Sequence, residues 1–144
     1  MSSILSDVHL AYHVLGRLVA KDLEEAAVSM SEALVLRVAT INPRVTAQGL
    51  LTTTGLPAST LSSLLARLEE RHYLRRERLG GDLRHTLVRQ TRVGATVGRM
   101  VESSLGEIEG RLAEQVTPAE RAGLTVLAEG LFAVERPERV SRLG

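Results

Sequence analysis

Two runs of apolar residues at helical spacing, parted by one glycine turn and followed at once by a glycine-tipped pair of strand-like runs, leave this chain few ways to fold. The first run spans Thr46 to about Thr53, and the reversal falls at Thr54-Gly55. The second opens near Pro57-Ala58 and continues to about Arg71, with Leu61, Leu64, Leu65 and Leu68 on its inner side. Two helices joined by a short glycine-containing turn make a helix-turn-helix. Next, Tyr73–Leu79 and Arg84–Gln90 flank Gly80-Gly81-Asp82. This reads as a β-hairpin whose glycines supply the positive φ that a tight reversal needs. A hairpin directly after a helix-turn-helix is the wing of a winged helix.

The flanks are helical too. A first helix is expected from about Asp7 to Ala26, with Val8, Ala11, Leu15, Leu18 and Leu23 on one face. Ser29-x-x-Glu32 is a capping box opening a second, apolar nearly all round, which Asn42-Pro43 ends. Past Thr91, Val93, Val97, Val101, Leu105, Ile108, Leu112 and Val116 recur every three or four residues. Thr117-Pro118-Ala119-Glu120 starts a last helix, with Leu124, Leu127, Ala128, Leu131 and Val134 as its stripe and Pro137 as its end. Gly94, Gly98, Gly106 and Gly110 each cost the long helix ~1 kcal/mol relative to Ala and predict that it bends or frays. One compact winged helix has no surface for so many extra stripes, and a second copy of the chain is the simplest partner. The expected architecture is mainly α with a small β-hairpin wing. One domain, 1–144, holds a winged-helix lobe at about 29–92 and dimerisation helices at about 4–26 and 93–136.

Composition narrows the function. The absence of cysteine removes disulfides, thiolate metal sites and thiol switches, and it fits a cytoplasmic protein. No apolar run approaches the ~20 residues that span a bilayer, and Met1-Ser2-Ser3-Ile4 lacks the start of a signal peptide. No phosphate loop, nucleophile elbow, dinucleotide fingerprint or His-Glu-x-x-His is present, so an enzyme is not expected, and neither is a cofactor. His9 and His13 lie one helical turn apart but lack a third ligand at clear spacing, so no metal is expected. The formal net charge is only +1, yet ten arginines and four carboxylates between Arg44 and Arg99 make the middle of the chain basic at +6. That distribution points to a polyanion-binding centre.

The winged segment resembles the MarR family of bacterial transcription regulators. Members of that family carry Asp-x-Arg at the wing tip, a small apolar residue four beyond the Arg, then Leu-Thr and a Gly. Asp82, Arg84, Val88, Thr91 and Gly94 fall in that register, and Gly55-Leu56, Ser59-Thr60 and Leu68-Glu69-Glu70-Arg71 match the recognition helix and its exit. Two positions depart from the pattern. Gln90 replaces the Leu and is expected to loosen packing under the wing. His72 replaces a Gly, and it is expected to end the helix because histidine tolerates left-handed geometry.

The resemblance implies a homodimer with two wings on double-stranded DNA, reading a pseudo-palindromic site and usually repressing. On the recognition helix, Ser59, Thr60, Ser62, Ser63 and Arg67 are the candidate contacts. Thr46 and Gln48 would touch phosphate at the preceding helix's start. Arg84 would enter a narrow minor groove, with Asp82 orienting it, and Arg76 is a further candidate on the wing. Ala58 and Ser63 stand where relatives carry longer polar side chains, so the wing is expected to contribute much of the readout. Relatives commonly release DNA on binding a small aromatic acid. Tyr12, His13, Arg17, Met30 and Arg37 are the candidates for lining such a pocket, the plainer alternative being ordinary core and interface side chains. The competing reading is a winged-helix protein-interaction module without sequence-specific DNA binding.

Overall fold

The computed structural model describes residues 3–80 and 82–135. They form helices α1 (Ile4–Asp22), α2 (Met30–Ile41), α3 (Ala47–Thr54) and α4 (Ala58–Glu70), strands β1 (Leu74–Arg78) and β2 (Thr86–Gln90), and helices α5 (Arg92–Ala113) and α6 (Pro118–Glu135). The mainly helical architecture with a hairpin wing is the one the sequence predicts. The chain divides into two units, one running to Glu107 and the other starting at Ile108. The expected tip residue Gly81 and the expected helix end at Pro137 lie outside the described residues.

Polar side chains set the helix ends. Ser3 Oγ accepts the Ser6 N–H at 3.1 Å, so α1 begins at Ile4, ahead of the expected Asp7. It also stops at Asp22 rather than Ala26, because Leu23 caps it and Ala27 turns into the left-handed region at φ 51°. Ser29 caps α2 as predicted, accepting the Glu32 N–H at 3.2 Å. The Glu32 carboxylate instead faces Arg71, 3.5 Å away. Thr46 caps α3, and Gly55 closes it at φ 71°. At the exit of α4, His72 takes φ 61°, and the N–H groups of His72 and Tyr73 donate to the Glu69 and Leu68 carbonyls, each at 2.9 Å. That paired closure is usually a glycine's task, and His72 performs it here.

In the first unit Leu61, Leu64, Leu65 and Leu68 are all buried, together with Leu36, Leu50, Leu74 and Val88. The strands pair antiparallel from Leu74↔Gln90 to Arg78↔Thr86. The Val45 carbonyl accepts the Val88 N–H at 2.9 Å and Thr46 bridges Leu87, so the segment before α3 locks the hairpin onto the helix-turn-helix.

α5 starts against Tyr73, the residue just before β1. Thr91 Oγ accepts the Gly94 N–H at 3.0 Å, while the Thr91 N–H donates to the Tyr73 carbonyl at 3.1 Å. A Cβ on Gly94 would fall 1.7 Å from that same carbonyl oxygen, so only glycine allows this crossing. One turn on, a Cβ on Gly98 would meet Gln90 Nε2 and Thr40 Oγ at 2.5 Å. The Gln90 amide donates to Thr40 Oγ at 2.8 Å and to the Leu36 carbonyl at 3.2 Å. This corrects the expectation that Gln90 loosens the wing: the amide ties β2 to α2, and Gly98 provides the room.

In the second unit Thr117 and Glu120 form the full reciprocal box, with bonds of 2.7 and 3.2 Å. α6 has no buried residue, and Leu124, Val126, Leu131, Phe132 and Val134 stand exposed. No helix among the described residues is long and apolar enough to cross a membrane.

α5 continues as helix through all four glycines, and a Cβ at Gly106 or Gly110 would meet nothing within 4 Å. Gly94→Ala is therefore expected to destabilise the fold by about 1–3 kcal/mol or more through overpacking. Gly106→Ala and Gly110→Ala should each stabilise it by about 1 kcal/mol. Urea titrations of the three variants check the contrast, and similar midpoints in all three would refute it.

Candidate nucleic-acid interface

With four leucines turned inward, α4 presents Ser59, Thr60, Ser62, Ser63 and Arg67 to solvent. All five predicted contact residues of the helix are exposed. At its N-terminus Pro57 offers no side-chain cap, so the first N–H groups of α4 retain their donors and the positive end of the helix dipole. Short hydroxyls beside unsatisfied N–H groups suit anionic oxygens. Gln48 is exposed on α3, whereas the half-buried Thr46 uses its hydroxyl oxygen to accept the Gly49 N–H at 3.0 Å. Its O–H remains available as a donor.

The wing tip is organised by Asp82. Its carboxylate accepts the Arg84 N–H at 2.9 Å, meets the Arg84 guanidinium at 3.1 Å and lies 2.9 Å from His85 Nδ1. Its carbonyl accepts the His85 N–H and the Thr86 hydroxyl, both at 3.1 Å. These bonds draw Leu83–His85 into a single 3-10 turn, so the second strand starts at Thr86 and not at the expected Arg84. The Arg84 side chain is 75% exposed even with its partner in place. The side-chain bond from Arg84, then that from His85, holds the Asp82 carboxyl below its usual range.

α4 and the wing border one hollow of about 260 Å³, lined in part by Ala58, Ser62, Arg76, Arg78, Gly80 and Asp82. The structure thus brings Ser62 of the helix and Asp82 of the wing to the same opening. Arg76 is placed differently from the other candidates. It is half-buried, and its Nε donates to the Glu69 carboxylate, tying β1 to α4. On the opposite face of the hairpin, Arg89 reaches Glu77 at 2.7 Å. Arg67, Arg75 and Arg78 form no ion pair among the described residues. Arg78, which the sequence reading did not choose, therefore has a better placed charge than Arg76.

The five ligand candidates are not gathered in one place. Tyr12, His13 and Arg17 are exposed on α1, with the Tyr12 and His13 rings edge-on at 5.3 Å and the His9 and His13 rings at 4.3 Å. Met30 is half-buried, and Arg37 donates to Glu102 at 3.0 Å. A second, larger hollow of about 500 Å³ is lined by Leu23, Ala26, Arg99 and Met100 among others. Neither hollow includes any of the five. Sequence reasoning also passes over a role for Arg71, whose carbonyl partners Ala26 and Ala27 lie more than forty residues away and leave no local pattern.

Residues 28–85 match the model of the MarR family. No curated protein matches the sequence. Among solved structures, the chain is similar to MepR of S. aureus in complex with DNA, with a TM-score of 0.76 and 16% identity over 93% of this chain and 99% of that one. It is also similar to wild-type apo MarR of E. coli, at 0.65 and 20% over 91% and 98% respectively. A third likeness is to CouR of Rhodococcus jostii RHA1 bound to p-coumaroyl-CoA, at 0.71 and 21% over 92% of each chain. At these identities the likeness is one of fold.

The Asp82 cluster makes a pH prediction. A carboxyl held low in the folded state contributes order that is fully present above its unfolded pKa and lost as pH falls through the folded one. Asp82 should therefore titrate below the ordinary value of 3.8, and the Arg84 amide signal should move with it. An NMR titration checks this, and an Asp82 midpoint at or above the ordinary value would contradict it.

Proposed function

Because residues 28–85 match the model of the MarR family, we propose that the chain is a regulator of that kind, a sequence-specific DNA-binding transcription regulator acting as a homodimeric repressor. The observation that carries this reading is that Ser62, from the exposed hydroxyl row of α4, borders the same hollow as Asp82, which holds Arg84 at the wing tip. In this reading α4 enters the major groove. Ser59, Thr60, Ser62 and Ser63 give short hydrogen bonds to phosphates and permissive base contacts, and Arg67 reaches a guanine edge or a phosphate. Thr46 and Gln48 hold the flanking backbone. Arg84, presented by Asp82, enters a minor groove narrowed by A·T-rich sequence. Arg76 acts from behind, fixing the angle between wing and helix.

The exposed apolar residues of α1 (Ile4, Leu5, Leu10 and Tyr12) and those of α6 are the surfaces a second copy would cover. Two-fold symmetry then calls for a pseudo-palindromic operator. MepR is known in complex with DNA and CouR with an aromatic acyl-CoA, which supports DNA as the partner here and a small aromatic acid as the effector. In the homodimer Tyr12, His13 and Arg17 would reach such an effector from α1, with Met30 and Arg37 contributing from α2. The work of such a protein is binding in the bacterial cytoplasm, with no catalytic step.

The test is selection of duplexes from a random library, followed by anisotropy titration against a scrambled control at two salt concentrations. Two chains per duplex and a preference for the selected sequence that persists at higher salt are expected. Arg84→Ala should weaken binding to the selected duplex by about 1–3 kcal/mol. Equal binding to both duplexes that disappears with salt would leave only phosphate attraction and defeat the proposal.

A further inference from the structure

Arg71 caps the far end of α4, away from the N-terminus that carries the hydroxyl row. Both terminal NH2 groups of its guanidinium are engaged. One NH group donates to the Ala27 carbonyl at 2.8 Å, and the other donates to the Ala26 carbonyl at 3.2 Å and the Tyr73 hydroxyl at 3.0 Å. The same group lies 3.5 Å from the Glu32 carboxylate and 4.6 Å above the centre of the Tyr73 ring. One side chain therefore joins the α1–α2 turn, the first turn of α2, the exit of α4 and the entry to the wing.

Both ends of this junction hold backbone in the left-handed region without glycine, at Ala27 (φ 51°) and His72 (φ 61°). Such residues persist only where their surroundings over-determine them. At Ala27 the carbonyl is held by Arg71, and its N–H closes the turn on the Leu23 and Glu24 carbonyls, both at 3.1 Å. The planar fork of arginine can serve two carbonyls and a phenol at once, which a lysine ammonium on a flexible stem cannot do with the same geometry. With both terminal NH2 groups bound to protein acceptors and the side chain only one-third exposed, Arg71 is poorly placed to meet a phosphate.

We propose that Arg71 is a positioning residue for DNA recognition: it sets the angle of α4 against the α1–α2 turn without touching DNA. The proposal rests on the reading of α4 as the recognition helix. It separates Arg71 from Arg67 and Arg84, which in that reading meet DNA directly. A positioning residue affects the fit to one sequence, whereas a phosphate contact affects all sequences and the salt dependence.

The test pairs amide hydrogen exchange with anisotropy on Arg71→Ala, using a duplex selected by the wild-type protein and its scrambled counterpart. With the variant folded by circular dichroism, exchange at Ala27, His72 and Tyr73 should accelerate together. Affinity for the selected duplex should fall about 3- to 30-fold, with the scrambled affinity and the salt slope unchanged. Acceleration at only one end of the junction would overturn the proposal, as would unchanged affinity for the selected duplex. A shallower salt slope with both duplexes weakened would make Arg71 a phosphate contact and overturn it too. If Arg71→Ala does not fold, Tyr73→Phe removes one acceptor while keeping the ring, and the same readings decide. If the wild type does not discriminate between the duplexes, the functional reading fails, and the exchange data alone decide whether the clamp exists.

Discussion

Leu61, Leu64, Leu65 and Leu68 recur at the spacing that places them along one side of α4, and their burial leaves the helix a single orientation. Burying a leucine stabilises by roughly 1.5–3 kcal/mol, so four of them far outweigh anything the outer face gains or loses. The outer residues are consequently free to be small and polar, and Ser59, Thr60, Ser62 and Ser63 exploit that freedom. The rest of the lobe arranges itself around this row. Glu69, on the same helix, holds Arg76 of the wing, and the carbonyls of Leu68 and Glu69 close the exit on which β1 begins.

The wing is seated by backbone contact as much as by side chains. Gly94 lets α5 cross the Tyr73 carbonyl, and Gly98 admits the bridge from Gln90 to Thr40. Withdrawing even a half-buried amide such as that of Gln90 from water is costly unless its hydrogen bonds are made, and here its donors are bound. The outcome is a hairpin whose base is rigidly tied to α2 and α5. Its tip is fixed by its own carboxylate, so Arg84 projects from an ordered turn into solvent.

What was legible in the sequence was local. The leucine row, the caps at Ser29 and Thr117, the Gly55 reversal and the exit at His72 all depend on neighbours within a turn or two. What escaped was set by distance or by a single polar side chain. α1 starts early because of the short Ser3–Ser6 pair, which lacks the acidic residue of a capping box. It ends early because Ala27 adopts a conformation whose support comes from Arg71, 44 residues along. Arg84 reads as strand from its sequence, whereas the Asp82 carboxylate binds three groups around it. Gln90 looked like a defect because its acceptors lie on α2, 50 and 54 residues away. The candidate contacts on α4 share one exposed face because periodicity alone decides their direction, whereas the ligand candidates depended on tertiary proximity that no spacing encodes.

The central claim is that α4's hydroxyl face and the wing tip together read DNA. Backbone amide shifts recorded while a selected duplex is added test it most directly. The largest changes are predicted at Ala58 to Arg67 and at Asp82 to His85, with α6 little affected by the duplex. Shifts concentrated on α1 and α6, with those two segments silent, would contradict the account and move the binding surface to the helices assigned here to the second copy of the chain.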